Sequence, residues 1–171
     1  MRFLVLSFAL LLGACALTPE STTLPALSAV PAAFEMAGRI AVRNGQQNEI
    51  AKLRWTHGPS SDRWVLSSPI GNEVARISSD AGGALLEQAG AAPQRAASFA
   101  SLTRQLLGVA LEPGELAAWL HGATPRAEAG WTVSLDERQA AGDVQVARRI
   151  TASRGEVSVR LVVDEYRALA E

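Results

Sequence analysis

Few side chains in this sequence are of a type and spacing that could do chemistry. They are one thiol, Cys15, two imidazoles, His57 and His121, and the adjacent carboxylates Asp164 and Glu165. His57 stands in a Gly-Pro-Ser turn and His121 at the end of a helical stretch. Neither has a serine or carboxylate at a spacing that suggests a nucleophile and its base. They read as a solvated turn histidine and a histidine near a helix dipole's negative end. Asp164-Glu165 offers an acid–base pair on paper, but at the end of a strand pattern it reads as solvated charge. Gly82-Gly83 lacks the lysine and helix of a phosphate loop. The expectation is no catalytic residue, no bound metal and no enzyme activity.

The thiol is different, because its neighbours give it a role. Arg2, the apolar run Phe3–Leu12 and the small pair Gly13-Ala14 make the charged, apolar and small-residue parts of a secretory signal. The run is too short to cross a bilayer as a helix. Leu12-Gly13-Ala14-Cys15 resembles the lipobox of bacterial lipoproteins; the alternative is an ordinary signal with an incidental cysteine. Cys15 is the only cysteine in the chain and falls at the required place. The resemblance implies diacylglycerol on the Cys15 sulfur, cleavage before Cys15 and an N-acyl group, with no other cofactor. Ala16 stands where aspartate would favour the inner membrane, which points to the outer one.

Removing residues 1–14 from 171 leaves 157, a common size for one domain with a real core. Arg2 goes with them, leaving 15 of 16 basic residues against 17 acidic ones. Near-neutrality gives no electrostatic argument for nucleic acid. With its one thiol acylated, the fold must stand without disulfides. Residues 15–33 read as the lipidated cysteine and a tether: Pro19, Pro25 and Pro31 punctuate Thr, Ser and Ala without any period. Its eighteen residues after Cys15 span about 25 Å if flexible.

Residues 34–171 carry the domain. Alternation predicts strands at Phe34–Arg43, Ala51–Thr56, Arg63–Ser67, Glu73–Ser78 and Ala84–Gln88, with turns at Asn44-Gly45 and Ser68-Pro69-Ile70-Gly71. Ser, Pro and Gly at the first, second and fourth places of the latter fit a type I turn with Ile70 at its tip. The period then changes. Ser98 caps a helix with Phe99, Leu102 and Leu106 on one face, ended by Gly108; a second, with Leu116, Trp119 and Leu120, ends at Gly122. Strands resume at Trp131–Leu135, a polar stretch Asp136–Asp143 intervenes, and Arg149–Ser153 pairs with Val157–Val163. The fold class is mainly β (α+β): seven to nine antiparallel strands, with helices inserted after the fifth, form an incomplete barrel with an apolar cavity covered by short helices.

All four tryptophans, Trp55, Trp64, Trp119 and Trp131, fall on apolar faces. Core packing is one reading. The other is an apolar cavity for something long, lined by them with Leu66, Phe99, Leu102 and Leu106. Arg39, Arg54 and Arg63 lie on outer strand faces and are either solvated or a contact for an acidic partner.

From Phe34 to about Tyr166 the chain resembles the LolB family. The resemblance rests on Gly38-Arg39, Leu53-Arg54-Trp55, Asp62-Arg63-Trp64, Ser68-Pro69-Ile70-Gly71, Leu107-Gly108, Leu116–Leu120 with Gly122, Gly130-Trp131 and Val159–Tyr166. Each piece is short, and their order carries the weight. The loop reads Ser-Pro-Ile-Gly where the family has Asn-Pro-Leu-Gly, and Tyr166 stands in place of a tryptophan. The Trp131–Arg149 stretch is short enough that a strand or loop there is reduced. The resemblance implies an incomplete barrel with an acyl-binding cavity. It implies a monomeric receptor that takes acylated lipoproteins from the periplasmic carrier LolA and inserts them into the outer membrane. Pro69, Ile70 and Gly71 would form the membrane insertion loop, and the receptor would be lipid-anchored, facing the periplasm. Two other readings stay open on residues alone: a lipid-anchored structural subunit of an envelope assembly, and a small periplasmic hydrolase using His57 or His121.

Overall fold

A computed structural model describes residues 30–123 and 129–169. Cys15, the signal segment and most of the tether lie outside the described residues. Eleven elements follow one another: β1 (Phe34–Asn44), β2 (Gln47–His57), β3 (Asp62–Ser67), β4 (Glu73–Asp80), β5 (Gly83–Gln88), β6 (Gln94–Ala96), α1 (Phe99–Leu107), α2 (Pro113–Leu120), β7 (Thr132–Ala141), β8 (Val144–Arg154) and β9 (Val157–Ala168).

The nine strands make one antiparallel sheet in the order β6-β5-β4-β3-β2-β1-β9-β8-β7. Two meanders are thus joined where the first strand pairs with the last, from Phe34↔Ala168 to Asn44↔Val157. Alternation decides which side chains point inward. Met36, Ile40 and Val42 of β1, Leu53 and Trp55 of β2, Trp64 and Leu66 of β3 and Ala75 and Ile77 of β4 are buried in one cluster with Val146 and Ile150 of β8 and Leu161 and Val163 of β9. The sheet is open, and its inner face is covered by the helices: α1 packs on β4, β5 and β6, and α2 on β8.

The helices begin and end where the residues dictate. The Ser98 hydroxyl accepts from the Ser101 N–H and starts α1; Gly108, at φ 73°, turns its end left-handed. Pro113 opens α2 at a position where no N–H is needed. Asn44 donates to the Gly108 carbonyl, tying the end of α1 to the β1–β2 hairpin.

Three sequence expectations need correction. The polar stretch 136–143 is not a loop: β7 runs through Ala141 and turns at Gly142 into a β8 that starts at Val144. Register shifts between Leu135 and Arg138 break the alternation that would have revealed it. No strand is therefore reduced there. The helices follow the sixth strand, not the fifth, because β6 pairs with β5 over only three residues, too few to show a period.

The β1–β9 seam holds the halves together and has one steric requirement. A bulge interrupts it between Ala37 and Gly38, and a Cβ on Gly38 would sit 2.0 Å from the Val162 carbonyl oxygen. Gly38→Ala should therefore lower stability by about 3 kcal/mol or more. Gly114 in α2 faces open space, so Gly114→Ala should be neutral or gain up to ~1 kcal/mol. Urea unfolding of the two variants checks this; equal midpoints would refute the seam's role.

Candidate functional site

The residues expected to line a cavity divide into two groups. Trp55, Trp64, Phe99, Leu102, Trp119 and Trp131 are buried in the packed core. Their rings meet edge to face: Trp55 on Trp64 at 5.8 Å between centroids, Trp64 on Phe99 at 5.1 Å, and Trp119 on Trp131 at 5.5 Å. Arg154 lies over the outer side of Trp131, 4.4 Å from its centroid. These side chains occupy the interior. None of the six borders the pocket described next. The Trp64 indole N–H is buried with no hydrogen-bond partner.

Leu66 and Leu106 do face open space. They line a pocket of about 320 Å³ together with Ile40, Val42, Ala51, Ala75 and Leu107, with Glu49, Ser67, Ser68 and Gln88 toward its mouth. The volume is at the low end of the ~300–1,000 Å³ usual for ligand sites. The wall comes from the inner faces of β1–β4 near their ends, and the roof from the last turn of α1. Pro69 and Ser68 also border it, so the Ser68–Asn72 turn stands beside the mouth.

That turn is built by local hydrogen bonds. The Gly71 N–H donates to the Ser68 carbonyl at 2.8 Å, the Ser68 N–H to the Asn72 carbonyl at 2.8 Å, and the Asn72 N–H to the Ser68 hydroxyl at 3.2 Å. Gly71 has φ 99°, which a side chain would strain. Ile70 is left at the tip, 85% exposed. Ile50 and Val74, also exposed, border the same pocket. Reading by alternation missed both, since each falls on an outward position at the end of a strand.

The expected outward arginines have ordinary surroundings. Arg39 pairs with Asp164 at 3.1 Å, both about half exposed; Arg54 and Arg63 are exposed on β2 and β3. Among the described residues no group of three His, Cys, Asp or Glu could hold a metal ion, and no helix is long and apolar enough to cross a membrane.

A family model described as "Outer membrane lipoprotein LolB" matches residues 32–166. The "Outer-membrane lipoprotein LolB" of Chromobacterium violaceum is 33% identical over 96% of this chain and 98% of its own length. That of Thiobacillus denitrificans is 31% identical over 96% of each. Among solved structures, a LolA superfamily protein from Nitrosomonas europaea aligns with TM-score 0.45 and 8% identity over 86% of this chain and 89% of its own.

The other end of the barrel is closed, and both histidines are there. Neither is a solvated surface group. His57 is part-buried against Phe34 and Trp55, and its Nδ1 donates to Asp62 at 2.7 Å; the same carboxylate oxygen accepts from Trp55 Nε1 at 2.8 Å. The five-residue spacing to Asp62 is bridged by the β2–β3 turn, which sets His57 opposite Asp62. His121 caps α2 and is 1% exposed. Its Nδ1 meets the Ala117 carbonyl at 2.7 Å, so that nitrogen carries the proton, and Nε2 accepts from the Tyr166 hydroxyl at 2.9 Å. The contact latches α2 to β9 with a neutral imidazole. Burial pushes the His121 pKa below 6.5; the Ala117 bond opposes this and His57 adds to it. Burial raises Tyr166 to about 12. A lowered base binds fewer protons folded than unfolded. Its stabilisation is thus full above pH 6.5 and is lost as pH falls toward the folded value. The raised phenol loses its share between pH 10 and about 12. We expect Tm to fall on both sides of neutrality, with His121→Gln flattening the acid limb and Tyr166→Phe the alkaline one. Unchanged limbs in these variants, measured by thermal melts across pH, would refute the neutral latch.

Proposed function

The chain belongs to the LolB family of outer-membrane lipoproteins, and we propose that it takes client acyl chains into the pocket beside the Ser68–Asn72 turn. It is an outer-membrane lipoprotein receptor of the lipoprotein localisation pathway, facing the periplasm. On this reading the periplasmic carrier LolA delivers the client, lipid on Cys15 holds the receptor at the membrane, and a monomer suffices. The supporting observation is that an apolar pocket opens next to an exposed apolar turn tip.

The energetics demand such a pocket. An acyl chain of about sixteen carbons exposed to water costs on the order of 12 kcal/mol. Transfer must pass it from one apolar site to the next without wetting it. Direction then comes from relative affinity, carrier to receptor to bilayer. Ile40, Val42, Ala51, Leu66, Ala75, Leu106 and Leu107 supply the receptor's side. The pocket is small for a whole chain, and α1 is the part that would give way: it roofs the pocket with Leu106 and Leu107 and is held by Phe99 on Trp64 and by the Gln105–Gln94 hydrogen bond. The chain enters the sheet at Phe34, at the end of β1 away from the pocket. Ile70 then touches the bilayer. Burying one isoleucine is worth ~2 kcal/mol, enough for a transient contact and too little for anchoring.

A two-step assay, carrier to receptor to liposome, tests this. Leu66→Asp should slow acceptance more than about tenfold, because a carboxylate in the pocket wall is either uncompensated or hydrated. Ile70→Glu should accept cargo normally and slow delivery to liposomes about tenfold or more, so that cargo accumulates on the receptor. Delivery by Ile70→Glu at the unmodified rate, or loss of acceptance instead, would overturn the insertion role.

A further inference from the structure

The wall of the barrel is not continuous around the pocket. β3 stops pairing with β2 at Ser67↔Lys52, while β2 continues to Gln47 with β1 as its partner. Beyond Ser67, residues 47–51 of β2 have no neighbour on the β3 side. A notch is left between this overhang and the start of β4, with the Ser68–Asn72 turn across it.

The pocket passes into this notch. It is bordered by Glu49, Ile50 and Ala51 in succession, and by Val74 and Ala75. Consecutive strand residues point to opposite faces of a sheet. A pocket bordered by consecutive residues of one strand runs along that strand's unpaired edge, so it opens at the notch. On its outer side the notch is edged by Ile50, 59% exposed, and Val74, 45% exposed. With Ile70 they are three of the four exposed large hydrophobics among the described residues; the fourth, Val30, precedes β1 in the chain and does not border the pocket. Exposed apolar residues gathered at one opening mark an interaction site.

We propose that this notch is a lateral exit for the acyl chain, and that Ile50 and Val74 are its bilayer-facing edges, entering the membrane together with Ile70. The proposal rests on the acyl-receptor reading above and adds where the chain leaves and what covers the opening. The composition of the rim favours lipid over protein as occupant. Ile50, Pro69, Ile70 and Val74 are apolar and aliphatic; the tryptophan, tyrosine and arginine that carry most protein–protein binding energy are missing from them. The polar groups beside them are the uncharged Asn48, Ser68 and Asn72; beyond these, Glu73 pairs with Arg76 at 2.9 Å and Lys52 is exposed two residues along β2 from Ile50. Zwitterionic lipid therefore tests the apolar contact without a net charge attraction.

The mature chain has no cysteine besides Cys15, which makes the test direct. Cys15→Ser chains carrying Ile50→Cys, Ile70→Cys, Val74→Cys or Val30→Cys are labelled with an environment-sensitive fluorophore and mixed with phosphatidylcholine vesicles, without cargo. Labels at 50, 70 and 74 should brighten and shift to the blue together, while the label at 30 stays dark. On the Ile70-labelled chain, Ile50→Asn with Val74→Asn should raise the lipid concentration for half-maximal brightening about tenfold. If only the label at 70 responds, the turn touches the membrane and the notch does not, which overturns this inference alone. If labels at 50 and 74 respond to the carrier and not to vesicles, the notch faces protein, and the inference is likewise wrong. No response at 70 would remove the membrane role of the turn and this inference with it.

Discussion

Four aromatic rings in edge contact decide where this barrel is full and where it is empty. Phe34 meets Trp55 at 4.9 Å, Trp55 meets Trp64, and Trp64 meets Phe99 of α1. The chain of rings crosses from β1 through β2 and β3 to the helix and fills the interior around the closed end. His121 and Tyr166 complete that end by tying α2 to β9. An apolar interior packed to ordinary density has no room for a ligand. The open space is therefore displaced to the far ends of β1–β4, where the side chains are smaller: Ala51, Ala75, Leu66 and Val42. The same packing makes α1 the roof. Its first turn is pinned by Phe99 and its last turn lies over the pocket.

This division suits the proposed role, in which an acyl chain is bound and then released. A cavity sealed on every side would hold the chain too well. A surface groove would leave it wet. Here the pocket is apolar inside and opens beside a turn whose conformation is set by its own hydrogen bonds and by Gly71, so Ile70 is held outward instead of folding back. The closed end carries the chain's entry at Phe34, and the mouth lies beyond the other ends of the strands.

Much of the fold was legible in the residues. Alternation located the inner faces of β1 to β5 and β9, and Ser98, Gly108 and Gly122 placed both helices. Two parts were hidden for physical reasons. The bulges in β7 shift its side chains out of phase, so a real strand looked like a polar loop; β6 is too short to have a phase at all. For the site, alternation shows which face a tryptophan points to, but not whether the space in front of it is already occupied by another ring. Hence Trp55, Trp64, Trp119 and Trp131 were correctly placed inward, while the pocket belongs to Leu66, Leu106 and smaller neighbours. Ile70 could be read because Ser-Pro-X-Gly fixes its own turn. Ile50 and Val74 could not, because their importance depends on where β3 stops. The approach of His57 to Asp62 depended likewise on the pairing across the β2–β3 turn.

The central claim is that acyl chains occupy the pocket at the turn end and not the space among the tryptophans. A client lipoprotein bearing a photoreactive acyl chain, loaded from the carrier and irradiated on the receptor, tests it directly. Mass spectrometry of the cross-linked peptides should find the label on Ile40, Val42, Leu66, Leu106 or Leu107. Labelling confined to the neighbourhood of Trp55, Trp119 and Trp131 would contradict the account.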